Sequence, residues 1–303
     1  MKTLGALVNR NFRMFFKDKG AFFTSLITPA ILLVLYVTFL GKVYRDAFTS
    51  HFPEWLAIPE KLINGLVGGQ LISSLLAVSC VTVAFCANML MVSDKASGAR
   101  NDLIVTPVKP SVLAMGYYLA TLRSTLLIGL LASGVGMFYL AKVGWFLSVT
   151  DVLLFLLDVV LLVMFGTALS SLINFFLKTQ GQISAVGTIV SSGYGFICGA
   201  YMPISNFGEG LQIALSFLPG TYGTALLRNH MMRGSFAELE SLGVPAPIVA
   251  SVRDAVDCNL YFFDHPVKEW VMYLILVGSI LLLLGAYILL HILQQQKMKR
   301  KGE

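Results

Sequence analysis

The sequence predicts an all-α integral membrane protein with six transmembrane helices. Three observations carry that prediction. Hydrophobic residues make up 56% of the 303 and charged residues only 13%, about half the charged share of a soluble domain. Mean hydropathy is +0.78, and several charge-free runs approach or exceed the roughly 20 residues that a spanning helix needs. These runs are continuous rather than alternating in period two. Helices, not a barrel, therefore satisfy the backbone in hydrocarbon.

The first 20 residues read as an in-plane amphipathic helix. Leu4, Leu7, Val8, Phe12, Phe15 and Phe16 recur at helical spacing on one arc, and Lys2, Asn9, Arg10, Arg13 and Lys17 fall opposite. That pattern puts aromatics in the headgroup boundary and cations toward anionic lipid. It is not a cleaved leader, because a train of further spans follows.

The rest of the chain, 21–292, is expected to be one transmembrane domain. Its spans fall at about 21–40, 62–92, 112–140, 151–177, 183–201 and 269–292. Pro29 is a candidate kink in the first. Arg123 lies inside the third span, either snorkelling to the inner surface or facing a partner. Asp158 lies inside the fourth, where a carboxylate belongs in the bundle interior or a wet cavity. Arg123 is one candidate partner for it. The fifth span carries a ridge of small residues four apart, Gly187, Ser191, Gly195 and Gly199, which lets helix backbones approach closely. We expect this ridge to pack between two copies of the chain.

Between 202 and 268 lies the longest polar-leaning region. Its apolar pieces, Gly210 to Leu218 and Thr221 to Met232, meet at Pro219-Gly220, and each is too short to cross roughly 30 Å of hydrocarbon. They read as a re-entrant hairpin over 209–232, followed by an exposed cap over 233–266. A basic tail, 293–303, ends the chain.

One short polar stretch interrupts the apolar pattern. Residues 93–109 read S-D-K-A-S-G-A-R-N-D-L-I-V-T-P-V-K. Gly98 sits in the middle, and Pro107 and Pro110 end any helix there. The stretch is either a plain connector or a docking handle built of Asp94, Lys95, Arg100 and Asp102.

Charge sets the topology. Thirteen of the 22 Lys and Arg lie in the termini, the 93–109 loop and the 178 turn, against eight on the other side. The positive-inside rule then places both termini and the 93–109 loop in the cytoplasm of a cell-membrane protein. The net charge of +6 is thus a topology signal, and no nucleic-acid partner is implied. Cys80, Cys86 and Cys198 fall in spans and Cys258 stands alone outside. His51, His230, His265 and His291 are scattered, so no metal or disulfide spacing emerges. No G-x-x-x-x-G-K-[ST] occurs, and no cofactor is expected to bind the chain directly.

Two local patterns resemble the ABC-2 type of permease, the membrane half of an ATP-binding-cassette exporter. The first is Asp94-Lys95, Gly98-Ala99, Leu103 and Thr106-Pro107, with Ala99 where that family has Thr. The second is Gly199 to Ile204, then Leu211 to Leu218, Pro219, Tyr222 and Leu227-Arg228. The resemblance covers nearly the whole chain and implies a coupling helix at 93–109. It implies an ATPase partner in two copies carrying ATP and Mg, and a second permease copy or close paralogue. In that reading Asp94, Lys95, Gly98, Arg100, Asp102, Leu103, Thr106 and Pro107 couple to the ATPase. Spans two and five line a cargo cavity, with Phe85, Asn88, Met89, Asp158, Ser191 and Tyr194 as candidate pathway residues. The cavity would pass a drug, peptide or lipid, and the chain itself would not be an enzyme. Two rival classes are an ion-driven secondary transporter using Asp158 and a membrane-embedded lipid-modifying enzyme.

Overall fold

The computed structural model describes residues 2–52, 58–106, 108–263 and 265–302. Pro107 lies outside the described residues. Helix α1 (Lys2–Lys17) buries Leu7, Asn11 and Phe15, one per turn, and keeps Lys2, Arg13 and Lys17 of its basic arc outward. It lies along α7 (Pro110–Val143), with the Leu7 side chain against Gly116. The Asp18 carboxylate then accepts from the Ala21 N–H at 3.0 Å and starts α2 (Lys19–Leu35).

The first span does not stop at residue 40. A π-helical turn, Tyr36–Leu40, feeds α3 (Gly41–Ser50), so the chain continues as helix into the polar residues that follow. Tyr44 and Phe48, four residues apart, bury one face of α3 and hold it in the fold.

Helix α4 (Glu60–Ala87) is the centre of the bundle, buried along nearly its whole length. Its hydroxyls stay satisfied in a dry environment by bonding their own helix: Ser73 to the Gly69 carbonyl, Ser79 to Leu75, Thr82 to Val78. Helices α7, α8 (Val149–Phe176), α9 (Gln180–Ile197) and α11 (Pro219–Ser241) surround it, and α13 (Glu269–Gly302) closes the ring against α7, α8 and α11. At Gly166 a side chain is impossible without a shift, since a Cβ there would sit 2.9 Å from the Cys80 carbonyl and the Val81 Cα. Local signals fix the helix starts. Pro110 opens α7 from the first turn, and capping boxes at Ser148/Asp151 and Thr179/Gln182 open α8 and α9.

Among the described residues, five helices are long and apolar enough to cross a membrane. The expected fifth span, α9, is not among them. Its 18 residues give about 27 Å of length, but Gln180, Gln182 and a run of Ser and Thr lower its hydropathy. At Asn88 the chain turns from α4 into α5 (Met89–Ala96), then α6 (Ala99–Val105). These two, with α1 and the end of α13, form what we term the basal end. The turn at 144–148, residues 199–206, α12 (Ala246–Ala255) and the short hairpin β1–β2 (Tyr261–Phe262, His265–Pro266) form the distal end.

Helix α10 (Glu209–Ser216) leads to Pro219, where Gly220 abuts the Tyr194 hydroxyl. From there α11 passes Leu162, midway along α8, and returns to Phe146 in the distal turn. It does not end at Met232. Burial of Ser235, Phe236 and Leu239 carries it to Ser241, into the stretch expected to be cap.

Candidate functional site

A large cavity opens along one side of the bundle. Its volume is about 1290 Å³, and α2 and α3 form one wall, α9 the other. Cys86 and Met89 lie in its floor, and residues 201–206 with α12 roof the distal end. Of the residues expected to line a pathway, Met89 and Ser191 do so. Phe85, Asn88, Asp158 and Tyr194 do not line it. Phe85 and Tyr194 are buried in the main core. Asn88 is fixed by the hydroxyls of Ser170 and Ser171, to which its amide donates at 3.3 and 3.0 Å. The α2–α3 wall is the part that sequence reasoning missed. The available signal was Thr24 and Thr28, two hydroxyls one turn apart in a largely apolar span.

Asp158 is fully buried and has two partners. His230 Nδ1 lies 2.5 Å from one carboxylate oxygen, and the Tyr273 hydroxyl donates to the other at 2.6 Å. Arg123 is not its partner. That guanidinium stacks 4.2 Å from the Phe12 ring of α1, a cation–π contact that explains a charge within the third span. Nor are all the histidines idle, since His230 meets Asp158 and His291 meets Arg100 at the basal end.

Three of the five charged side chains of the 93–109 stretch, those of Asp94, Lys95 and Arg100, turn inward. Arg10 of α1 donates to both oxygens of Asp94, at 2.7 and 3.2 Å, and the Tyr117 hydroxyl adds a third bond at 2.7 Å. The carboxylate hydrogen bond raises the pKa of Arg10 above its ordinary value. Lys95 donates to the carbonyls of Asn174, Phe175 and Leu177, which end α8; a cation there satisfies orphan carbonyls and suits the helix dipole. Arg100 reaches Gln294 of α13 at 3.0 Å. Asp94 and Arg100, expected to point at a partner, therefore tie α1, α7 and α13 together. Gly98 takes φ +83°, a left-handed turn between α5 and α6 that favours glycine. Leu103 packs half-buried on the basal core with Leu7 and Met91. Outward lie Ala96, Ser97, Lys109 and one face of α6 with its cap: Asn101, Asp102, Val105 and Thr106, with Val105 86% exposed.

Two glycines of the small-residue ridge of α9 meet their own chain, while Ser191 lines the groove. A Cβ at Gly187 would sit 2.9 Å from the Met89 methyl, and one at Gly195 would enter the Tyr201 ring. Gly199 lies beyond the helix, at φ +73°. The reason is local: the chain reverses after Ile197 and folds Tyr201 back, its hydroxyl donating to the Ser191 carbonyl at 3.2 Å.

At the distal end Arg228 of α11 is buried. It pairs with Asp257 at 3.1 Å, donates to Ser74 at 3.3 Å, and also donates to the Gly199 carbonyl. Asp257 also accepts from the N–H groups of Ile204 and Ser205, at 2.6 and 3.2 Å. Arg228 thus anchors α11, α4, the exit of α9 and the segment after α12 to one another.

No curated protein sequence gives a significant match. A family model described as ABC-2 family transporter protein matches residues 57–288. That segment runs from the start of α4 into α13 and takes in the α5–α6 turn, α9 and the Arg228 anchor. It is more than half of the chain, and the protein belongs to the ABC-2 family of transporter proteins.

Proposed function

We propose that the chain is the permease of an ATP-driven exporter, in which the side cavity is the cargo path and the outward face of α6 docks an ATPase. Family membership makes it a multi-pass membrane transport component rather than a catalytic one. The ATPase, binding ATP and Mg, would sit on the basal end, and two permease copies with two ATPases would complete the transporter. In this reading the basal end is cytoplasmic, α9 is the sixth span, and α10–α11 form a re-entrant hairpin. Support for the hairpin comes from its tip beside Tyr194 and Leu162, inside the bundle, with both of its ends distal.

The observation that carries the proposal is the cavity itself. An open groove of about 1290 Å³ running from Gln180 to Asn206 is larger than an ordinary small-molecule pocket of ~300–1,000 Å³. Its apolar walls suit an amphipathic or lipid-like molecule. Because α5 and α6 are tied to α1, α7, α8 and α13, force applied at α6 is transmitted to the bundle rather than absorbed by a loose loop. Asp158, by contrast, does not line the groove, which disfavours the secondary-transporter alternative.

The test is copurification with the cognate ATPase. Asp102→Lys and Val105→Asp alter only the outward face of α6, so each should weaken association while the permease still folds and inserts. Wild-type association in both variants would remove the docking role from α6.

A further inference from the structure

The cavity's walls carry information on the head group of the cargo. Among the described lining residues there is no Asp, Glu, Lys or Arg, and His51 is the one side chain able to carry a positive charge. A charged head group held there would lose water without gaining a counter-ion, which is costly. Besides His51 and the amides of Gln180 and Asn206, the polar side chains lining the groove are mainly hydroxyls, and three of those on α9 have a fixed sense. Ser184 donates to the Gln180 carbonyl at 3.1 Å, Thr188 to Ser184 at 2.9 Å, and Ser192 to Thr188 at 2.7 Å. Each hydroxyl has a single proton and directs it into its own helix. What Ser184, Thr188 and Ser192 present to the groove is therefore lone pairs, one set per turn of α9, along a path of about 12 Å.

Opposite them, Thr24 and Thr28 of α2 lie one turn apart and make no side-chain hydrogen bond among the described residues. Row and cavity together form an acceptor-rich, uncharged lining. We infer that the cargo is a neutral amphiphile whose head group carries hydrogen-bond donors, such as hydroxyl or amide N–H, and that phosphorylated or carboxylated cargo is rejected. The inference rests on the groove being the path, as proposed above. It adds the chemical class that the path accepts.

The test uses three probes sharing one acyl chain: a monoacylglycerol with two free hydroxyls, its di-O-methyl ether, and its phosphate ester. Binding to the purified permease–ATPase complex is measured by equilibrium titration, alongside stimulation of ATP hydrolysis. The free-hydroxyl probe should bind about tenfold tighter than the ether, and the phosphate ester more weakly still, since each lost hydrogen bond contributes roughly a factor of a few. The variant Ser184→Ala/Thr188→Val/Ser192→Ala keeps wall shape and should bring the hydroxyl and ether probes within about twofold of each other. Equal binding of the phosphate ester and the hydroxyl probe would overturn the inference, as would an unchanged hydroxyl-to-ether ratio in the triple variant. A separate variant, Thr188→Trp, fills the groove. If it leaves binding of every probe unchanged, the groove is not the path and the proposed function fails. If it abolishes binding while the probes do not discriminate by head group, only the present inference fails.

Discussion

Burial decides what each charged residue does. Asp94, Arg100, Asp158, Arg228 and Asp257 are all buried, and each has a partner on another element. The sequence marks such residues as costly in a membrane protein, and so Asp158 was legible as special. Its partner was not, because His230 lies 72 positions away and nothing in one sequence pairs them. The Arg228–Asp257 pair offers the sharpest energetic prediction. Removing either partner leaves an uncompensated buried charge, so Arg228→Ala or Asp257→Ala should each lose about 3–5 kcal/mol. The double variant should lose less than the sum of the two. Thermal unfolding of the detergent-purified protein in a double-mutant cycle measures this, and strictly additive losses would refute the pair's coupling.

Helix existence was readable from the sequence, and helix ends and roles were less so. Capping boxes and Pro110 mark α8, α9 and α7 within a few residues of their starts. The π-helical turn joining α2 to α3, and the run of α11 to Ser241, come from tertiary burial of Tyr44, Phe48, Ser235 and Phe236 that composition does not display. Helix α9 illustrates the larger gap. Its four-residue spacing of small side chains was visible, but the same pattern serves a partner helix or a folded-back ring. The structure places the Tyr201 ring over Gly195. Gly195→Leu should therefore lower the yield of monodisperse protein on size-exclusion chromatography, and Tyr201→Ala in the same chain should restore much of it. Equal loss in both variants would place the constraint outside this contact. The α5–α6 turn falls in the 93–109 stretch, and Asp94, Lys95 and Arg100 face inward there, since a loop of a few residues gives no sign of which neighbours its side chains reach.

For the molecule as a whole, class and family were legible, because hydropathy and charge distribution are properties of long stretches. The α2–α3 wall of the groove was not, because it depends on how helices distant in sequence pack around α4. The proposed orientation, with the basal end cytoplasmic, rests on the excess of Lys and Arg there. Ser97 and Ser251 are exposed at opposite ends of the bundle. On intact cells an impermeant thiol reagent should label Ser251→Cys and spare Ser97→Cys, and the reverse pattern would invert the topology. The central claim is that an ATPase bound at the basal end drives cargo through the groove between α2 and α9. Its most direct test is ATP-dependent movement of a fluorescent neutral amphiphile in vesicles containing permease and ATPase, wild type against Thr188→Trp. The account predicts transport by the wild type and its loss in the groove-filled variant, with the ATPase still bound. Transport at the wild-type rate through a filled groove would contradict it.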